Sequence, residues 1–361
     1  MFGLCYRTTT AAHSSGGYRP INGNRVVPAT QWPRDGRLRS STSAPWSLDQ
    51  AYPTTGSTGL LQPRRCLADD GLAGGAAVES AAARGIVTAT LPNGGGANPE
   101  SSVRFALSAG AYVLPHPDKM EKGGEDWYFV AKHRRAVGVA DGVGGWSEVG
   151  VDAGAYARQL MGNAEAAAEE FAAASDQSSA DQPELSPQDI LESAYQMTTA
   201  RGSATACVAV VNGNSLSVSN LGDSGLLVLR GGAVAFHTPQ QQHGFNFPYQ
   251  IGSADSMSDS PSSAQRFVVA LQQGDLIVLG TDGLWDNCFD EEVASVLKYC
   301  GDRSMDVAKM AQVLAHYARH RASDSKFASP FAYAAFQAGY AYMGGKMDDI
   351  TVIVCQAEAL P

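Results

Sequence analysis

Four short acidic segments, far apart in the chain, limit what this sequence can fold into. They are Glu125-Asp126 in GGEDWYFV, Asp141 in VGVADGVGGW, Asp282 in DLIVLGTDGLWDN, and Asp348-Asp349 in GGKMDDITVIV. Three of them lie against apolar runs: residues 137–140 before Asp141, 276–280 before Asp282, and 350–354 after the Asp348 pair. A carboxylate buried at a strand end is costly unless it is paired or bound to metal. Several converging ones point to a hard divalent cation held by oxygen ligands.

At 361 residues the chain has room for one large domain or two small ones, and 44% hydrophobic residues suit a substantial core. A net charge of −10 argues against a nucleic-acid backbone as main partner, and no Lys/Arg stripe with interleaved aromatics is present. The cysteines (Cys5, Cys66, Cys207, Cys288, Cys300, Cys355) are scattered without a C-x-x-C pair, which reads as reduced thiols rather than a disulfide framework or zinc site. No apolar run approaches the ~18 residues that span a bilayer, so the mature protein is expected to be soluble.

The first 95 residues differ from the rest. They are rich in Ser, Thr, Gly, Pro and Ala, and carry nine Arg, no Lys and five acids. That is about +4, leaving about −14 for the remainder of the chain. Low complexity of this kind cannot bury enough apolar surface to fold alone. A basic, hydroxyl-rich, acid-poor start matches an organelle transit peptide, and the competing reading is an unstructured extension without an address. Residues 1–95 are therefore expected to be a disordered extension and 96–361 the folded domain.

Ordered sequence is expected from about Val103. FALSAGAYVL, WYFVAKH and AVGVAD read as strands, the last two joined by the polar turn His133-Arg134-Arg135. Asp152 can cap a helix through AGAYARQLMGNAEAAAEEFAAA, and Ser186-Pro187 can open another reaching Thr199. SATACVAVV, SLSVSNLG, GLLVLRG and AVAFHT, separated by Asn-Gly and Gly-Gly turns, form an antiparallel meander pattern. QRFVVALQ, DLIVLGTD and DITVIVCQ add strands, EEVASVLKYC and MDVAKMAQVLAHYARH add helices, and residues 253–264 read as a mobile loop. Strands and helices in separate blocks indicate an α+β domain, not a βαβ repeat.

Asp141 and Asp282 are each followed by Gly, so one step can offer both a carboxylate and an exposed carbonyl. An isolated Asp-Gly is usually a turn. Two of them after apolar strands, with two further acidic pairs, make a metal site the competing reading. Two divalent ions about 3.5–4 Å apart could generate hydroxide from water and stabilise charge on a phosphoryl group.

Five motifs in order, GGEDWYFV, GVADGVGGW, GSATACVAVV, VSNLGDSGLLVLRGG and LIVLGTDGLWDN…MDDITVIV, resemble the metal-dependent PP2C (PPM) serine/threonine protein phosphatases. The likeness runs from about Leu107 to Cys355. The PHPDK-x-x-x-GGED opening and ADGVGGW resemble the plastid and mitochondrial branch. The resemblance implies a four-layer αββα sandwich, two antiparallel sheets flanked by helices, and Mn²⁺ or Mg²⁺ as cofactor, two ions per subunit with a weaker third site. It implies that Asp141 bridges the two ions, that the Gly142 carbonyl binds one, and that Asp282 and Asp348 complete the first site. Glu125 and Asp126 would act mostly through waters, and Asp223 in LGDSG would hold the third ion with Asp282. Asp349 stands where the family usually has Asn.

Two positions depart from the family. Val143 stands where many members have a His, the candidate general acid for the leaving alkoxide. Lys119 and Lys122 are the cations near the place where an Arg commonly binds substrate phosphate, and Lys119 is the residue assigned that task here. Lys binds phosphate as a point charge, without the bidentate fork. His116 between prolines reads as a turn residue, His316 and His320 as a solvated helix face, and Trp127 and Trp146 as core rather than groove. The expected activity is hydrolysis of phosphoserine and phosphothreonine in proteins by an activated water, without a phosphoenzyme. A two-metal phosphodiesterase or small-phosphate hydrolase, and a non-catalytic pseudophosphatase that binds phosphoproteins or regulates a partner, are the alternatives; retention of Asp141, Asp282 and Asp348 weighs against the pseudophosphatase. The branch implies an organelle phosphoprotein substrate in the chloroplast (a thylakoid or photosystem protein) or else the mitochondrion. The protein is expected to be monomeric, with peripheral membrane contact only.

Overall fold

The computed structural model describes residues 103–176 and 184–361 and two short strands, Val27–Pro28 and Val87–Ala89. The chain divides into a unit of residues 1–31 and 85–361 and a second of residues 32–84, and the second lies outside the described residues. The predicted disorder and transit peptide of residues 1–95 fall outside them too, apart from the two strands. Val87–Ala89 adds in parallel to a sheet edge, and Val27–Pro28 pairs with Tyr340–Ala341.

Two sheets carry the domain. The first has five antiparallel strands, β1 (Phe105–Leu114), β6 (Gly225–Arg230), β7 (Ala233–His237), β9 (Leu276–Gly280) and β10 (Ile350–Ala359), in the order β7-β6-β9-β10-β1. The second contains β2 (Asp126–Val130), β3 (Ala136–Asp141), β4 (Ala206–Asn212), β5 (Ser215–Leu221) and β8 (Gln265–Ala270), ordered β8-β5-β4-β3-β2, with Val87–Ala89 outside β8.

Alternation along the strands sends one row of side chains to each face. Val137 and Val139, Cys207, Ala209 and Val211 face Leu226, Val228, Ile277, Leu279, Ile353 and Cys355 in a core between the sheets. The other row of the second sheet, including Ala136, Ala140, Ala206, Val208 and Val210, packs on α1 (Ala153–Asp176) and α2 (Pro187–Met197). The predicted caps hold: Asp152 Oδ1 accepts from Gly154 N, and Ser186 Oγ from Asp189 N. On the far side α5 (Val307–Ser323) covers β1 and β10, buried through Met310, Leu314, Ala315 and Ala318. Helix, sheet, sheet and helix are thus the four expected layers.

The short α3 (Asp282–Trp285), α4 (Asp290–Gly301) and α6 (Pro330–Gln337) complete the helices. Periodicity did not mark α6; Ser329 caps it by accepting from Ala332 N, with Pro330 at its first position. Residues 253–264 are irregular apart from a 3-10 turn at Pro261–Ser263 and are held by polar ties: Ser253 Oγ donates to Asp255, and Asp259 accepts from Gln250 N.

Candidate metal centre

The centre occupies one end of the core between the sheets. Val137 and Val139 point inward, so Asp141, two residues on, continues the same row. The same parity carries Ile277 and Leu279 on to Thr281, Ile353 back to Thr351 and Asp349, and Cys207 back to Thr205. Asp126 lies directly opposite Asp141 in the β2–β3 ladder. The apolar core thus ends in a polar layer contributed by five strands.

Most of that layer is tied down. Thr281 Oγ1 donates to Asp126 Oδ2 (2.7 Å) and accepts from Thr351 N (3.0 Å). Asp141 N donates to Thr205 Oγ1 (3.2 Å), which in turn bonds Ser224 Oγ (2.7 Å). Gly142 N donates to Glu125 O at 3.1 Å, and a Cβ there would stand 2.5 Å from Ala153 O and 2.7 Å from Glu125 O. Only glycine lets the start of α1 close on the site. Asp349 is the anchor for the Glu-Asp turn: its carboxylate accepts from His116 N (2.6 Å), Glu125 N (3.0 Å) and Lys119 Nζ (3.1 Å). Arg319, from α5, donates to the carbonyls of Leu114, Pro115 and Asp348, fixing the loop that carries Asp348.

Two ammonium groups are set among the acids. Lys119 Nζ bonds Glu125 and Asp349 and lies 4.0 Å from Asp348 Oδ1. Lys346 Nζ donates to Asp282 Oδ2 and Asp286 Oδ2 (2.8 Å) and pairs electrostatically with Asp348 Oδ2 at 3.2 Å. Among the described residues no three His, Cys, Asp or Glu side chains form a ready-made cage for an ion. The two lysines hold carboxylate oxygens that a cage would need.

Charge is nonetheless unbalanced. Burial pushes Asp126, Asp141 and Asp223 well above the usual carboxylate range, and neighbouring carboxylates add to it, Asp349 for Asp126 and Asp282 for the other two. Asp282 rises to about 6, burial outweighing the Lys346 ammonium. Asp348, in the same layer, is lowered instead: burial raises it, but Lys346 and Lys119 prevail. Asp126 Oδ1, Asp223 Oδ1 and Asp282 Oδ1 are buried without a hydrogen-bond partner. Orphaned carboxylate oxygens in a crowded acidic layer suit hard divalent cations, which would supply the missing positive charge. On that donor chemistry the residues present fit the metal.

The structure gathers Glu125, Asp126, Asp141, Gly142, Asp282, Asp348 and Lys119 at one end of the sandwich, with Asp223 in the turn between β5 and β6. Sequence reasoning missed Asp286, Thr281 and Lys346. Asp286 and Lys346 lie inside quoted motifs, and Asp286 follows Asp282 by one helical turn, a spacing that could have flagged it. Trp127 and Trp146 are not core: Trp127 is 39% exposed, and Trp146 lines a cleft of about 280 Å³ with Val143, Phe247 and Pro248. A polar tie explains Trp146, whose Nε1 donates to Ser203 Oγ (2.8 Å). Among the contacts described His316 bonds Tyr112, away from the acids, whereas the His116 ring caps the turn at Asp118 and only its backbone N–H reaches Asp349.

A family model described as Stage II sporulation protein E (SpoIIE) matches residues 131–358. Over 248 residues the chain is 47% identical to "Probable protein phosphatase 2C 80" of Arabidopsis thaliana, covering 69% of this chain and 58% of that relative. It is 39% identical to "Probable protein phosphatase 2C 26" of the same plant, covering 70% and 84%. The solved structure of the photosystem II phosphatase PBCP is similar with a TM-score of 0.63 and 36% identity, covering 70% of this chain and 100% of that one. The chain belongs to the protein phosphatase 2C family. It spans little more than half the length of several curated relatives it matches.

Proposed function

We propose that this chain is a metal-dependent phosphoprotein phosphatase that hydrolyses phosphoserine and phosphothreonine. The observation that carries the reading is the row of inward carboxylates, with unpartnered oxygens on Asp126, Asp223 and Asp282, ending the core between the sheets. Asp141 would be shared between two ions, Mn²⁺ or Mg²⁺, with Asp282, Asp348 and the Gly142 carbonyl completing their ligands and Glu125 and Asp126 acting through waters. When bound, such ions lower the pKa of water and neutralise charge on phosphoryl oxygens.

The chain's own groups do the rest. Thr281 and Thr205 hold Asp126 and the Asp141 backbone in place. Lys119, 30% exposed along its side chain, stands at the edge of the acidic layer, where its ammonium can meet an arriving phosphate. Val143 has no proton to give, so the leaving alkoxide takes its proton from water. The Trp146 cleft begins at Val143 and offers the residues flanking the phosphate an apolar wall.

The basic, acid-poor N-terminus and the likeness to a photosystem II phosphatase support a chloroplast thylakoid or photosystem phosphoprotein as substrate, with a mitochondrial protein second. No helix among the described residues is long and apolar enough to cross a membrane, so contact with a membrane-protein substrate would be peripheral. The test is hydrolysis of a phosphothreonine peptide in Mn²⁺ or Mg²⁺ beside Asp141→Ala. Wild-type protein inactive in every metal sinks the phosphatase reading in favour of a pseudophosphatase, and activity surviving Asp141→Ala sinks the shared role. Import of a fluorescent fusion of residues 1–95 decides the compartment.

A further inference from the structure

Lys346 is housed more carefully than a surface lysine needs. Its backbone is gripped from both sides by the buried Asn287, whose Oδ1 accepts from Lys346 N and whose Nδ2 donates to Lys346 O, each at 2.8 Å. Gly345, the residue before it, packs so closely on Arg321 and Ala322 of α5 that a Cβ would collide with their backbone. The ammonium stands 5.3 Å from the centre of the Phe331 ring. It donates hydrogen bonds to Asp282 and Asp286 and forms an ion pair with Asp348 Oδ2 at 3.2 Å, and its side chain is only 15% exposed.

This arrangement bears on the third ion that the family pattern places between Asp223 and Asp282. Asp282 divides its oxygens: Oδ2 is taken by Lys346, while Oδ1 is the one without a partner. Asp223 likewise has one oxygen occupied, by Gln242 Nε2 at 3.2 Å. A third ion drawing on Asp282 would have to share its second oxygen with an ammonium already bonded there. Two cations at that spacing repel strongly in a buried site.

We propose that Lys346 is a built-in cation that takes the place of the third divalent ion, leaving a centre that binds two. The single charge of an ammonium, fixed by the Asn287 clamp, does permanently what a weakly held ion would do only when bound. It offsets part of the charge of Asp282, Asp286 and Asp348 while leaving Asp282 Oδ1 for the main pair of ions. The inference rests on the two-metal reading above.

Counting bound Mn²⁺ on the full chain by equilibrium dialysis, with calorimetry for the affinities, tests it. The wild-type protein should saturate at two ions, and Asp223→Asn should leave that count at two. Lys346→Met keeps an unbranched side chain and removes the charge, so it should bind a third ion, lost again in Lys346→Met/Asp223→Asn. A wild-type count of three, falling to two in Asp223→Asn, overturns the proposal, as does a folded Lys346→Met that stays at two. If Lys346→Met fails to fold, the wild-type and Asp223→Asn counts still decide. A wild-type count of none or one instead overturns the two-metal reading.

Discussion

The same strands build two neighbouring regions with opposite chemistry. Along β3, Val137 and Val139 sit in the dry core between the sheets, and Asp141 extends their row into the acidic layer. Along β9 and β10 the row passes from Ile277, Leu279 and Ile353 to Thr281, Thr351 and Asp349. In the core, burial stabilises; in the layer, burial raises the free energy of every carboxylate it covers. The rigid apolar part therefore aims groups that repel one another, and the layer keeps its geometry because the core will not let it relax. Stability and function are segregated by a few ångströms along one strand.

The sharpest way to separate the regions is to change one row at both ends. Asp141→Asn should lower phosphatase activity on the order of 10³-fold or more. The same change removes a buried, mutually repelled charge, so the metal-free protein should melt higher, by about 2–4 °C per kcal/mol relieved. Calorimetry in a chelator beside the peptide assay reads both. A variant that loses activity and also melts lower without metal would show that Asp141 serves the fold, and the segregation would fail.

Leu226→Ala should behave in the opposite way. Leu226 is fully buried between the sheets, and truncation should cost roughly 2–5 kcal/mol. Denaturant unfolding measures the loss. Mn²⁺ affinity and activity per folded molecule should stay within about twofold of wild type, because the polar layer rests on backbone ladders rather than on this one side chain.

Thr281→Val tests the seam between the regions. Valine keeps the shape but leaves Asp126 Oδ2 and Thr351 N without their partner. The loss should be about 1–3 kcal/mol in stability. Mn²⁺ affinity should weaken roughly 10–100-fold, the size expected when a group that orients a ligand is removed. Calorimetric titration decides, and unchanged affinity would mean Asp126 is oriented by the backbone alone.

The core and the acidic segments were both legible in the sequence, for different reasons. Alternating apolar residues name the strands directly, and an aspartate after such a run is conspicuous because it ends a row that should continue inward. Asp349 could not be assigned beforehand, because its three bonds reach His116, Lys119 and Glu125, more than two hundred residues away. Lys346 was hidden similarly: its partners Asp282 and Asp286 come from α3 and its end, and only the folded turn at Gly345 brings the ammonium to them. Trp146 was not legible because an indole fits a core as well as a cleft, and only the folded chain sets it beside Val143, Phe247 and Pro248 along one.

The acidic layer also predicts how pH should act without metal. Asp282, with a folded pKa of about 6, binds its proton more tightly when folded than when unfolded, where a carboxylate lies near 4. Its contribution therefore favours the folded state at low pH and is lost as pH rises from about 4 through about 6. Asp126, Asp141 and Asp223 are shifted the same way and extend the loss to higher pH. Asp348 opposes them, since its lowered pKa gives stability present above the unfolded value and lost on acidification. In a chelator, the midpoint of Asp282→Asn relative to wild type should climb as pH is raised from 4.5 to 7. Added Mn²⁺ should raise the wild-type midpoint more at pH 7.5 than at pH 5.5, because ions and protons compete for the same oxygens. A midpoint difference between the two proteins that stays flat with pH would mean that Asp282 titrates like a surface carboxylate, and the contrast between core and acidic layer would lose its electrostatic half.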